Sequence, residues 1–268
     1  PAPASGGTVV TLAVDGREFG LTVPPGYAAG QATGLVIGLH GYTADSSGLD
    51  SYFGLSAETA RRGLLLALPQ GLVDEAGDRF WNATPDCCDF YHSGVDDSAF
   101  LSGLIEEVGR AYAVDPRRVF VLGHSNGGFM AHRLACDHAG TVTGIMSLAG
   151  VEDPDPESCA PSSAVAVLQV HGTADEQVPY AGTGEFPSAA DTVTRWAALD
   201  GCAAEGVPAR RRDLDTGLPG HETAVTAWSD CTGSAGVELW TIEGGGHVPQ
   251  LPSDFAAQVL DWLEAHTG

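Results

Sequence analysis

Residues 119–128 read VFVLGHSNGG, and this stretch decides the predicted fold. A short apolar run enters a Gly-x-Ser-x-Gly motif at residues 123–127, and a helix-compatible stretch at residues 129–136 leaves it. The flanking glycines permit a sharp strand-to-helix turn, which holds the central serine in a strained conformation and exposes its hydroxyl. Because the turn opens a helix, its free N–H groups stabilise negative charge there. The stretch therefore predicts a nucleophile at Ser125.

A serine hydroxyl needs a general base, and that base needs a carboxylate to fix its tautomer. In folds built on this turn, the three groups follow the chain order Ser, acid, His. An apolar run at residues 165–170 leads to Asp175, and another at residues 237–242 leads through three glycines to His247. These positions predict a catalytic triad of Ser125, Asp175 and His247. No rival acid follows a buried strand so closely, the rivals being Asp153, Asp200 and Asp230.

An acyl transfer also needs two N–H donors for the oxyanion. We expect one from the main chain of Asn126, directly after the nucleophile. The other should come from the loop after a strand at residues 34–40, most simply from the main chain of Tyr42, since Gly41 permits a close approach. For His40 we prefer a structural role, bracing this loop, to a catalytic one.

The rest of the chain alternates between strand-like and helix-like segments, which is typical of a mostly parallel sheet with helices on both faces. Two segments at 8–14 and 18–23 flank the turn dipeptide Asp15-Gly16 and predict an N-terminal antiparallel hairpin. We predict one α/β domain over residues 1–268, of which 1–7 form a flexible segment. Further strands are expected at 64–68 and 142–148, and further helices at 97–112, 189–199 and 254–266.

The 268-residue chain carries 35 acidic and 12 basic residues, a formal charge of −23, and every base is an arginine. Such a charge repels nucleic-acid phosphates and disfavours anionic membrane surfaces. No apolar run approaches the roughly 18 residues of a membrane span. We therefore expect neither nucleic acid nor a membrane as a partner. We also expect the protein to be a monomer.

Six cysteines without metal-ligand spacing indicate disulfides, and disulfides indicate an exported protein. Residues 1–7 are PAPASGG and lack an initiator methionine. We interpret this start as a processed or trimmed end. Six cysteines allow 15 pairings. We favour Cys202–Cys231 and Cys136–Cys159, which leave Cys87–Cys88 as a vicinal pair unless these two exchange partners with the others.

Four segments together resemble the secreted poly(3-hydroxybutyrate) depolymerase-like esterases, a family that includes feruloyl and acetyl xylan esterases. The segments are LHGYTAD at 39–45, GHSNGGFMAHRLAC at 123–136, HGTADEQVPY at 171–180 and GGGHVPQ at 244–250. The resemblance implies an α/β-hydrolase fold and a secreted serine esterase that cleaves aryl or acyl esters or polyesters. The residues 40–44 also resemble the oxyanion loop of cutinase-type polyester hydrolases, which suggests that Tyr42 lines the acyl site.

The alternatives are an acetyl xylan esterase, a peptidase of the prolyl-oligopeptidase type and a non-catalytic binding protein of the same fold. Aromatic residues near the motifs are candidates for substrate contact, foremost Tyr42, Trp81 and Tyr180, and also Phe80, Phe90 and Tyr91. The mechanism requires neither cofactor nor metal. Four aspartates around the paired cysteines could bind calcium, although helix capping explains them better; they are Asp86, Asp89, Asp96 and Asp97.

Overall fold

The computed structural model describes residues 7–267. The predicted flexible segment 1–7 therefore lies, except for Gly7, outside the described residues. Twelve strands are present within this range: β1 (Thr8–Val14), β2 (Arg17–Val23), β3 (Thr33–Leu39), β4 (Leu65–Leu68), β5 (Leu72–Val73), β6 (Arg79–Phe80), β7 (Val114–His124), β8 (Gly144–Leu148), β9 (Ala166–Gly172), β10 (Val207–Arg212), β11 (Thr223–Trp228) and β12 (Val237–Ile242). The α-helices are α1 (Ser46–Phe53), α2 (Leu55–Arg62), α3 (Asp97–Ala111), α4 (Asn126–Asp137), α5 (Ala189–Leu199) and α6 (Phe255–Ala265).

Ten strands form one sheet in the order β1-β2-β4-β3-β7-β8-β9-β12-β11-β10. The six strands from β4 to β12 run parallel, whereas β1 and β2 at one end and β11 and β10 at the other pair antiparallel. The mostly parallel sheet and the N-terminal hairpin confirm the predicted fold class. The second hairpin, β10–β11, was not predicted.

The strands bury both faces of the sheet, which is why they read as continuous apolar runs. On β3, Ile37 packs into a cluster with Leu104 of α3 and Leu134 of α4. Its neighbour Val36 points to the opposite face and packs with Phe53 of α1. Helices α3, α4 and α5 thus cover one face, and α1, α2 and α6 cover the other.

The carboxyl ends of β3, β7, β9 and β12 meet at one edge of the sheet, since these strands are parallel. The loops that leave these ends carry all of the predicted triad and oxyanion residues. Ligands of open α/β sheets bind at such an edge. The topology therefore fixes where a site can form.

Three disulfides are present, Cys87–Cys88, Cys136–Cys159 and Cys202–Cys231, as predicted. Cys136–Cys159 ties the end of α4 to the loop that follows β8, and Cys202–Cys231 closes the base of the β10–β11 hairpin. Within residues 7–267, no helix is both long and apolar enough to cross a bilayer.

Candidate active site

Ser125 occupies the turn between β7 and α4 with a φ angle of 54°, a conformation that side chains other than glycine rarely adopt. Its N–H donates to the Leu148 carbonyl at 2.8 Å, which anchors the turn to β8. A Cβ on Gly123 would lie 2.0 Å from the Gly127 carbonyl oxygen, and a Cβ on Gly127 would lie 2.0 Å from that of Leu39. Both glycines of the motif are thus required by close backbone contact.

The structure brings the three predicted triad residues together. His247 Nε2 lies 2.9 Å from Ser125 Oγ, and His247 Nδ1 lies 2.8 Å from Asp175 Oδ2. Each group comes from a different loop at the carboxyl edge of the sheet, after β7, β9 and β12. A histidine that donates from Nδ1 to a carboxylate presents a free Nε2 lone pair to the hydroxyl. This arrangement can take the serine proton as the oxygen attacks a carbonyl.

The Asp175 carboxylate is buried, and its second oxygen is also fully engaged. Oδ1 accepts the main-chain N–H groups of Gln177 and Val178, each at 2.9 Å. Burial alone would raise the pKa of Asp175, but hydrogen bonds from His171, His247 and the Val178 N–H outweigh it and hold the pKa well below its ordinary value. The carboxylate therefore stays ionised and can balance an imidazolium at His247.

His171, on β9, is a second histidine beside this carboxylate and was not predicted. Its Nδ1 lies 3.2 Å from Gln169 Nε2, which can only donate, so the His171 proton is on Nε2. That Nε2 lies 2.8 Å from the Val178 carbonyl and 3.3 Å from Asp175 Oδ2. His171 is completely buried. Its ring therefore fixes the position of the Asp175 loop.

His124 lies directly before the serine in the motif, and its side chain supports the loop that carries His247. Its Nε2 lies 3.0 Å from the His247 carbonyl oxygen, and its ring contacts those of His247 and Tyr52. Burial lowers the pKa of His124 to about 4, so the ring is neutral and donates to that carbonyl. Tyr52 in turn donates to the Pro249 carbonyl at 2.9 Å, which fixes the other side of the same loop.

The predicted oxyanion donors lie beside the nucleophile. Asn126 opens α4, where N–H groups lack intrahelical acceptors. A Cβ on Gly41 would lie 3.3 Å from Ser125 Cβ, which shows how closely the loop after β3 approaches the serine. Within residues 7–267, the N–H of Tyr42 has no hydrogen-bond acceptor, whereas the next N–H, of Thr43, donates to the Arg79 carbonyl at 2.9 Å. Both predicted donors thus belong to backbone that lies beside Ser125.

The Asn126 side chain holds a neighbouring loop. Its Oδ1 accepts the Trp81 N–H at 2.7 Å, and its Nδ2 donates to the Trp81 carbonyl at 2.8 Å. Trp81 Nε1 then donates to the His40 carbonyl at 3.0 Å. His40 is buried, with Gly71 N–H on Nε2 at 3.0 Å and the Gly41 carbonyl 2.8 Å from Nδ1, and this is the bracing position that we preferred for it.

Two of the predicted substrate contacts lie elsewhere in the structure. Trp81 is completely buried, because its ring fills the core beside His40, and it does not reach the cavity at Ser125. Tyr180 packs edge-on against His171 and shares a 2.9 Å hydrogen bond with Thr241, so its hydroxyl is used within the fold. Neither residue lines the cavity at Ser125; Trp81 packs against His40, and Tyr180 packs against His171.

A cavity of about 470 Å³ opens beside Ser125 and His247. It lies between the loop after β3, helix α1 and the histidine loop, and its lining is largely aromatic and aliphatic with one amide. Its side walls come from Tyr42, Leu49, Tyr52, Gln177 and Val248. The volume is in the range of small-molecule sites.

Tyr42 lies at the rim of this cavity and is oriented by two contacts. Its hydroxyl donates to Asp74 Oδ2 at 2.7 Å, and its ring meets Phe90 edge-on with centroids 5.2 Å apart. The hydrogen bond to Asp74 raises the pKa of Tyr42 to about 12, so the phenol is neutral. Phe90 and the adjacent Tyr91 are exposed, at 56% and 45%. An aromatic rim therefore continues outward from the cavity.

Three of the four aspartates considered for calcium make separate contacts within the fold. Asp97 is buried in an ion pair with Arg17 at 2.7 Å, and Asp96 caps α3 through the Ala99 N–H. Asp89 accepts two N–H groups of its own loop. Within the described part of the chain, no three His, Cys, Asp or Glu side chains form a group that could hold a metal ion.

Comparisons with known proteins indicate the class to which this chain is similar. Residues 94–195, which include Ser125 and Asp175, match the family model described as Phospholipase/Carboxylesterase. The chain is 28% identical to a putative esterase, NocK, of Nocardia uniformis subsp. tsuyamanensis, over 89% of this chain and 72% of that protein. It is also 28% identical to feruloyl esterase B of Piromyces equi, over 86% of this chain but only 42% of that longer protein.

Among solved structures, the acetyl xylan esterase from Aspergillus awamori superposes with a TM-score of 0.67 at 16% identity, covering 97% of this chain and all of that chain. At this identity the likeness concerns the fold. Sequence relatives, fold and the serine–histidine–aspartate arrangement lead to the same class of protein. The chain is a serine carboxylic ester hydrolase of the α/β-hydrolase fold, similar to the feruloyl esterases.

Proposed function

We propose that Ser125 is the nucleophile of this esterase, His247 its general base and Asp175 the acid that orients the histidine. The observation that carries the proposal is the unbroken hydrogen-bond series from Ser125 Oγ through both nitrogens of His247 to Asp175 Oδ2. It is supported by the φ of 54° at Ser125, which aims the hydroxyl away from the sheet and into the cavity.

The reaction would proceed through an acyl-enzyme. His247 takes the proton of Ser125 as Oγ attacks the ester carbonyl, and the carbonyl oxygen becomes negative. The N–H groups of Tyr42 and Asn126 hold this oxyanion. His247 then gives the proton to the leaving alcohol. A water, deprotonated by the same nitrogen, attacks the acyl group, and collapse of the second intermediate returns the proton to Ser125.

As substrates we propose esters with an aromatic acyl group, of the hydroxycinnamoyl type. The support is the lining of the cavity, which contains two aromatic residues (Tyr42 and Tyr52), two aliphatic residues (Leu49 and Val248) and the amide of Gln177. Aromatic walls stabilise a planar acyl group more than they stabilise an acetyl group, which buries less apolar area.

We also propose that the described chain works as one catalytic domain and that it is exported. The first rests on a single ten-stranded sheet that unites all of the site loops. The second rests on three disulfides, which reducing compartments seldom preserve.

The decisive experiment compares the protein with Ser125→Ala. We expect the variant to lose hydrolysis of p-nitrophenyl acetate and labelling by a fluorophosphonate, while its thermal unfolding stays within a few degrees of the parent. Full residual activity would refute the assigned nucleophile. A second comparison sets methyl ferulate against p-nitrophenyl acetate and methyl acetate. A higher kcat/KM for methyl ferulate than for methyl acetate is expected, and the reverse order would instead indicate a small-acyl esterase.

A further inference from the structure

Three consecutive arginines, Arg210, Arg211 and Arg212, end the edge strand β10 in a chain of charge −23. Arg211 pairs with Glu243 at 2.5 Å. Within residues 7–267, neither Arg210 nor Arg212 forms an ion pair, although the chain has almost three acids for each base. Every other arginine except Arg79 has an acidic partner. Among the described residues, two arginines without an ion pair thus lie two positions apart on one strand.

Arg212 is the better ordered of the two. Its guanidinium carbon lies 3.9 Å from the centroid of the Trp240 ring, and its Nη1 donates to Gln258 Oε1 at 3.0 Å. Its Nε is buried and has no partner among the described residues. Burial lowers the pKa of Arg212; Glu238 and Asp261 oppose this shift, and Arg210 adds to it. A positive charge with few partners is therefore held in a fixed orientation on an aromatic face.

Both guanidinium groups line a surface cavity of about 610 Å³, larger than an isolated oxyanion needs. The cavity also presents hydrogen-bonding side chains suited to hydroxyl groups, namely Thr216, His221 and Gln258. Two acids, Asp213 and Asp254, share its lining. A lining of arginines and hydrogen-bonding side chains suits a ligand that has both a carboxylate and hydroxyl groups.

We propose that this cavity binds a carboxylate-bearing sugar, such as a uronic acid residue of an acidic polysaccharide, with its carboxylate between Arg210 and Arg212. A guanidinium fork matches a carboxylate in two parallel hydrogen bonds. The site is separate from Ser125, and its occupation does not depend on ester hydrolysis.

The test is calorimetric titration of the intact protein with D-glucuronate, D-glucose and inorganic phosphate at one ionic strength. We expect saturable binding of glucuronate, weaker or no binding of glucose, and weaker binding of phosphate. Arg210→Gln should weaken glucuronate binding about tenfold, which corresponds to the loss of one charge-assisted hydrogen bond. Because Arg210 is exposed, this variant leaves the fold intact. Arg212→Gln should do the same, with its folding checked by thermal unfolding.

Arg110→Gln is the matched control, since it removes one exposed positive charge from α3 and should leave the affinity unchanged. Equal glucuronate affinity in the parent and in Arg210→Gln would overturn the proposal. Equal affinity for glucose and glucuronate would also overturn it, because the arginines would then be irrelevant. Phosphate binding as tight as that of glucuronate would overturn the assignment to a sugar. Since the titrations contain no ester, these outcomes are independent of the catalytic roles proposed above.

Discussion

His171 Nε2 lies 3.3 Å from Asp175 Oδ2, the same oxygen that lies 2.8 Å from His247 Nδ1. Two imidazoles, one on β9 and one in the loop after β12, therefore meet on one carboxylate oxygen. Only His247 is at the surface of the site; His171 is completely buried and its tautomer is fixed by Gln169. The buried His171 thus orients the Asp175 carboxylate, and this carboxylate in turn orients His247.

We predict that His171→Phe lowers kcat for p-nitrophenyl acetate about tenfold or more, because a hydrogen bond to a charged group contributes roughly 1.5–3 kcal/mol. The loss should appear in kcat more than in KM, since His171 does not line the cavity. His132→Phe is the control, as His132 is equally buried but bonds only to Gln169 and Trp196. Similar kcat losses in both variants would indicate a general packing defect.

Gly127→Ala should destabilise the fold by at least about 3 kcal/mol, because the added Cβ would lie 2.0 Å from the Leu39 carbonyl oxygen and the backbone must move. Gly109→Ala provides the opposite control. Gly109 lies within α3 with no atom near its Cβ position, so alanine there should stabilise by about 0.5–1 kcal/mol. Urea unfolding of the three proteins measures both effects. A Gly127→Ala protein as stable as the parent would contradict the close backbone contact between Gly127 and Leu39.

Glu152 gives a prediction about pH. Burial raises the pKa of Glu152 to about 8, against the opposing effect of Arg195 at 3.3 Å. The folded state then binds a proton that the unfolded state has released, so this group makes stability fall as pH rises from about 4.5 to 8. Glu152→Gln should abolish that part of the decline. Unfolding free energies at pH 5 and pH 8 should therefore differ less in the variant; an unchanged difference would show that Glu152 ionises normally.

Substitutions of Tyr42 can distinguish the contribution of its side chain to substrate binding from that of its main-chain N–H to catalysis. Tyr42→Ala keeps the N–H that we assign to the oxyanion but removes the aromatic wall, so we expect KM for methyl ferulate to rise about tenfold with a smaller change in kcat. Tyr42→Phe keeps the ring and loses only the hydroxyl contact to Asp74, and its KM should stay within about threefold of the parent. Identical KM values in Tyr42→Ala and the parent would remove this wall from the substrate site.

The triad positions could be predicted because they depend on chain order and on strands that read clearly. Asp175 and His247 each follow a continuous apolar strand, β9 and β12, and parallel strands bring their ends to one edge. The β10–β11 hairpin could not be predicted, because β10 is exposed and contains a proline and three arginines. Helix α1 was missed for a similar reason, since its serines and glycine weaken the helical pattern.

Support of the site by buried polar groups had no signal in the sequence. His171 was visible only as part of a loop motif, and its contact with Asp175 depends on a turn of four residues whose path is set by tertiary hydrogen bonds. Trp81 lies near the motifs in the chain and was therefore expected to face the substrate. Its indole N–H instead reaches the His40 carbonyl, and this buries the ring.

Asn126 combines two duties that belong to different parts of one residue. Its side chain makes two hydrogen bonds to the main chain of Trp81, while its main-chain N–H is one of the two oxyanion donors that we propose. Position 126 therefore offers little freedom for changing selectivity. A replacement would lose the side-chain hydrogen bonds to the Trp81 loop but would leave the main-chain N–H unchanged. Libraries would be better directed at the opposite wall, where the Val248 side chain is 59% exposed.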